Sequence, residues 1–110
     1  MKSRLPEGFK SQSMNSVIES AKRVQVEMAA AEEKIAEMEF CAVSGGGVVE
    51  VTVSGDKKVK EVKISKEIVE DIEMLQDMII VATNSALEKA SDYHDKKISA
   101  ITGNLSIPGL

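Results

Sequence analysis

Reactive chemistry in this chain would have to come from His94, Cys41, the Gly45-Gly46-Gly47 triplet or the carboxylate clusters. Each lacks the company its chemistry needs. His94 is the only histidine, so it has no second imidazole for a metal site and no companion for a nucleophile–base triad. It is expected on the exposed side of a helix. Cys41 is the only cysteine, which rules out an internal disulfide and a thiolate zinc site and agrees with a reducing cytosol. No basic neighbour close in sequence lowers its pKa, so a buried inert thiol is expected. The glycine triplet invites a phosphate-loop reading, but no lysine with serine or threonine follows at that spacing, and the next segment alternates like a strand. Glu32-Glu33 and Glu70-Asp71-Glu73 lack the alternating oxygens and the glycine of a calcium loop, and read as solvated acidic faces. No catalytic residue, metal ligand, cofactor or small-molecule substrate is expected, and no enzyme.

What remains is charge and where it stands. The formal net charge of −4 argues by itself against nucleic acid, yet it is unevenly distributed. Residues 1–26 carry five basic groups against two acidic ones, whereas residues 27–39 carry five glutamates against Lys34. Residues 40–66 are net +2, residues 67–77 hold five carboxylates and no cation, and residues 89–110 are net +1.

These charges are positioned by elements that can be read from apolar spacing. From Met14 to Met38 a heptad holds Met14, Ala21, Met28 and Ile35 on one seam position and Val17, Val24, Ala31 and Met38 on the other. Neither glycine nor proline interrupts it, which predicts a long helix with Ser13 or Asn15 as cap. Val49, Val51 and Val53 then alternate with Glu50, Thr52 and Ser54, a half-buried strand. Gly55-Asp56-Lys57-Lys58 reads as a turn, Val59 to Ile64 as the next strand, and Phe40 to Ser44 as a shorter first one. A second long helix is expected from Ile72 or Glu73 to about Ile101. Its stripe is Leu75, Ile79, Ala82, Ala86, Ala90 and Tyr93, and Gly103 ends it.

The fold class is therefore α+β: a long helix, a three-stranded antiparallel sheet, a long helix. Residues 1–13 are expected as a flexible N-terminal arm and 14–110 as a single domain. With two phenylalanines, one tyrosine and no tryptophan, the core is aliphatic and thin, which argues against a deep ligand pocket. No apolar run is long enough for a signal peptide or membrane span, so a soluble cytoplasmic protein is expected. A helix of 25 residues runs about 37 Å, longer than a strand of about 20 Å can cover, and the sheet keeps open edges. A twofold homodimer would satisfy both.

Several motifs agree with one known family. Gly45 to Gly55 is similar to its GxGxVxVxxxG turn and strand. Asp71 to Ile79 resembles its D-x-E-x-L-x-D-L-I helix start, Ala82, Asn84 and Ala86 its A-x-N-x-A continuation, and Pro108-Gly109-Leu110 its closing P-G-L. In order and spacing, residues 14 to 110 resemble the YbaB/EbfC family. The resemblance implies a tweezer-shaped homodimer that binds double-stranded DNA in the bacterial nucleoid without catalytic activity. Met1 to Ser13 departs from the short glycine- and methionine-rich start of many members.

If both helices leave the sheet, their far ends hold Lys22, Arg23, Lys89, Lys96 and Lys97, the expected phosphate-binding cations. The same residues also suit ordinary solvated helix faces, with Lys89, Lys96 and Lys97 pairing Asp92 and Asp95 or complementing the helix dipole. A reading from another class stays open: a dimeric protein–protein interaction module without direct DNA binding.

Overall fold

The computed structural model describes the backbone of residues 7–103, with side chains from Met14 onward. Helix α1 (Glu7–Glu37) leads into strands β1 (Glu39–Ser44), β2 (Val49–Ser54) and β3 (Val59–Ile64), and helix α2 (Ile72–Gly103) follows. The strands form one antiparallel sheet in the order β1-β2-β3. This is the α–β–β–β–α fold that the periodicities imply.

Helix α1 begins seven residues before the expected Met14. Lys10-Ser11-Gln12-Ser13 contains no helix breaker, so the helix continues through it. The helix thus takes in residues 7–13 of the expected arm, and neither Ser13 nor Asn15 caps it. The rest of that arm, 1–6, and the closing Pro108-Gly109-Leu110 lie outside the described residues.

The core sits where α2 crosses the sheet. Alternation puts Val49, Val51 and Val53 on one face of β2, and register sets Ser44, Ala42 and Phe40 of β1 beside them. All three valines are fully buried, as are Ala82, Ala86 and Ala90 of α2. The alanines, four residues apart, make a flat helix face on which the valine methyls rest directly. Burying each valine contributes roughly 1.5–3 kcal/mol.

Two turns hold this layer in register. Gly45, Gly46 and Gly47 have φ of 59°, 72° and 102°, a left-handed run that side chains rarely adopt. Ser44 Oγ beside them donates to the Met78 carbonyl at 2.7 Å, fastening the turn to α2. In the β2–β3 turn the Gly55 amide donates to the Met38 carbonyl at 2.9 Å. A side chain at Gly55 would collide with the backbone of Ile35, so only glycine lets the end of α1 lie this close. The Met74 amide bonds Asp71 Oδ1 at 3.1 Å, capping α2.

Beyond the sheet the two helices pair antiparallel. Ala31 and Ile35 of α1 are buried there. Val24 and Met28 are half-buried, whereas Met14, Val17 and Ile18 are exposed. The result is an 84 Å long molecule with a helical arm on a small α/β body. One helix covers only part of a three-stranded sheet. Val62 and Ile64 face the same side as Val51 and Val49, yet remain 40% and 39% exposed.

Candidate nucleic-acid interface

Glu32 of α1 meets His94 of α2, which sets the level at which the helices cross. Carrying that antiparallel pairing outward at 1.5 Å per residue brings Gly103 level with about residue 23 of α1. Lys22 and Arg23 are therefore at the end of the two-helix section, both exposed. Lys96 and Lys97 are exposed on α2, roughly 10 Å nearer the sheet along the axis. Lys97 borders a solvent-open groove with Lys34, walled by Ala31, Ile35, Met38 and Tyr93.

Lys89 is not at the tip. It belongs to the part of α2 that crosses the sheet, and its ammonium donates to the Cys41 carbonyl of β1 at 2.7 Å. The expectation that Lys89 falls in the far end of α2 placed this lysine too far out. The alanine face holds α2 on the sheet as far as Ala90, so only its last three turns project.

His94 is likewise not a free surface residue. Its Nε2 contacts Glu32 Oε1 across the helix pair, and its Nδ1 lies 3.4 Å from Asp95 Oδ1. These two carboxylates raise its pKa above the ordinary imidazole value, with Glu32 the larger influence. Beside it, Glu32, Ile35, Ala36, Gly55, Asp56 and Lys57 line an open cleft of about 240 Å³, which brings the β2–β3 turn against the root of the arm. Tyr93 packs on Phe40 with ring centroids 5.7 Å apart. Cys41 is half-buried rather than buried, and its Sγ donates to Glu50 Oε2 at 2.9 Å. That hydrogen bond, with burial second, pushes the thiol pKa up. Among the described residues no three His, Cys, Asp or Glu side chains gather as a metal-binding group, and no helix is long and apolar enough to cross a membrane.

One basic cluster escaped the sequence reading. Lys57, Lys58, Lys60, Lys63 and Lys66 all fall in the β2–β3 turn, β3 and the segment after it, and all are exposed. The signal was present as lysine density, but Glu50, Asp56 and Glu61 diluted it when charge was summed over residues 40–66.

A thin α/β layer carrying a long helical arm, with cations along the arm and at its root, defines a small α+β protein built around a projecting helix pair. The chain belongs to the YbaB/EbfC DNA-binding family, whose pattern matches residues 10–105. It is 44% identical over 99 residues to a nucleoid-associated protein of Clostridium acetobutylicum, covering 88% of each chain. A nucleoid-associated protein of Acetivibrio thermocellus is 42% identical over 100 residues, again 88% of each. One from Bacillus thuringiensis is 39% identical over 98 residues, 87% of this chain and 90% of that one. Among solved structures, an uncharacterized protein of Helicobacter pylori shares the fold with a TM-score of 0.61 at 24% identity, over 69% of this chain and 90% of that one.

Proposed function

We propose that this protein is a nucleoid-associated, non-catalytic protein that binds double-stranded DNA as a homodimer in the bacterial cytoplasm. In this reading Lys22 and Arg23 at the end of the two-helix section and Lys96 and Lys97 farther in contact phosphates. The observation that carries it is the set of four exposed cations, Lys22, Arg23, Lys96 and Lys97, on the arm of a chain that belongs to a DNA-binding family. Each lysine or arginine that neutralises a phosphate releases a counterion, so binding of this kind weakens steeply with salt and reads no particular base sequence. Lys89, with its ammonium held by the Cys41 carbonyl, stands apart from the other four.

A second copy is proposed because too much apolar surface is left uncovered. Val62 and Ile64 on the helix side of the sheet, Ile72, Ile80 and Val81 on α2, and Met14, Val17 and Ile18 on α1 are all exposed. Among the described residues strand β3 also presents an unpaired edge. The same surface is the specific observation favouring the other reading, a dimeric module that docks another protein. Fluorescence anisotropy of a labelled duplex across salt concentrations, with light scattering for mass, separates them. Salt-sensitive binding by a dimer is the expected result. A dimer that ignores duplex DNA at low salt would leave the protein-interaction reading in its place.

A further inference from the structure

The densest positive charge in the chain is not on the arm. From Asp56 to Lys66 stand Lys57, Lys58, Lys60, Lys63 and Lys66 against Asp56 and Glu61, in a protein of net charge −4. All six residues of β3 are exposed, and so are Lys57 and Lys58 in the turn before it. Carboxylates do little to neutralise the group. Lys58 reaches Asp56 only at 3.8 Å and Lys63 reaches Glu61 only at 4.0 Å, both pairs in solvent. Lys57, Lys60 and Lys66 have no ion-pair partner among the described residues.

The platform beneath these lysines is rigid. The Ser54 amide donates to the Lys58 carbonyl and the Lys57 amide to the Ser54 carbonyl, each at 2.8 Å, while Ser54 Oγ bonds the Asp56 carboxylate. Gly55 ties the same turn to the end of α1. At its apex Lys57 has φ of 67°, the left-handed conformation that glycine or asparagine bears at lower cost. The turn thus holds a long cation at its apex at some conformational cost.

We propose that the β2–β3 hairpin, through Lys57, Lys58 and Lys60, is a second contact for duplex DNA phosphates at the root of the arm, used together with the cations farther out. This inference rests on the DNA-binding reading above. Lys57 lies beside Ala36, and Ala36 and Lys22 are separated by 14 residues of α1, about 21 Å. A duplex carries about 12 phosphate charges over that length. Glu27, Glu32 and Glu33 lie between the two clusters along α1, whereas Lys96 and Lys97 of α2 stand level with about residues 29–30, so the phosphate contacts form a row from the hairpin through Lys96 and Lys97 to Lys22 and Arg23. Contacts separated along the arm fix the angle between arm and duplex, which a single cluster leaves free.

The test is a salt titration of duplex binding by anisotropy, comparing the full chain with the Lys57→Gln/Lys58→Gln/Lys60→Gln variant. Loss of three contacts lowers the slope of log K against log salt by about 2–3 and weakens binding at moderate salt by about tenfold or more. Lys57→Asn alone suits the left-handed backbone and is expected to lower the slope by about 0.9 with the fold intact. Replacing the three lysines by arginine is expected to preserve binding. If the glutamine variant keeps the parent's affinity and slope while Lys22→Gln/Arg23→Gln weakens both, the hairpin contact is overturned and the arm contact stands. If the parent chain binds no duplex at low salt, the DNA-binding reading falls and this inference with it.

Discussion

His94 of α2 reaches across the root of the arm to the carboxylate of Glu32 on α1, and through its other ring nitrogen to Asp95. The imidazolium is favoured in the folded chain, so its pKa lies above the ordinary value of 6.5. The stability this adds is fully present below the unfolded pKa and is lost as pH rises through the raised folded one. Because both partners are partly solvated, it amounts to no more than about 1 kcal/mol. As the chain's only histidine, His94 can be followed by NMR without ambiguity. Its titration midpoint is expected above 6.5 and should move down in Glu32→Gln. Glu32→Gln should also lower Tm at pH about 6 and scarcely at pH about 8.5. A midpoint unmoved by that substitution would show that the contact is not made in solution.

Gly55 and Gly46 separate two reasons for needing glycine. A methyl at Gly55 meets the backbone of Ile35, which cannot swing aside as a side-chain tip can. At Gly46 the space is empty and only the φ of 72° disfavours a side chain. Gly46→Ala is expected to cost about 1–2 kcal/mol. Gly55→Ala should cost distinctly more, because α1 must be displaced from the turn. Urea denaturation of the two variants gives the comparison directly.

Ala86 rests flush on the fully buried valines of β2. Ala86→Leu adds three carbons where no space exists, and overpacking of that kind costs about 1–3 kcal/mol. The opposite change, Val51→Ala, removes two methyls from the same layer. It should cost about 1–3 kcal/mol by leaving a void. Both losses would be seen as lower Tm, with the helix content of the folded state unchanged.

Lys89 and Lys97 are expected to diverge in their effects. Lys89→Ala removes the bond to the Cys41 carbonyl and should cost about 1 kcal/mol of stability. It should leave the salt slope of DNA binding almost unchanged. Lys97→Glu, placed with Lys22→Glu, should do the reverse: weak binding in a protein of normal Tm. Equal losses of DNA binding from both would return Lys89 to the interface.

Much of this architecture was legible because its elements are locally consistent. The Met14-to-Met38 heptad, the Val49–Val53 alternation and the Gly55-Asp56-Lys57-Lys58 turn each follow from nearest neighbours along the chain. What escaped depends on which surfaces meet. A stripe of Ala82, Ala86 and Ala90 announces close approach without saying to what, and its resting on the sheet is what moved Lys89 inward. His94 and Glu32 are 62 positions apart and come together only once the helices cross. The hairpin lysines were visible singly, but averaging over a segment that includes β1 and β2 hid their concentration at one edge.

Helix α1 runs past Gly103 at the end of α2, so among the described residues its first turns have no intramolecular neighbour on the apolar side. A lone helical segment of that length is marginal in water, since each end frays and only packing repays the ordering of the backbone. Amide protons there should exchange orders of magnitude faster than those of Val49 to Val53, which open only with the whole domain. Whatever lies against Met14, Val17 and Ile18 slows that exchange by mass action. The arm's protection against deuterium is therefore a gauge of occupancy, and it would rise with protein concentration if the occupant is another copy of the same chain.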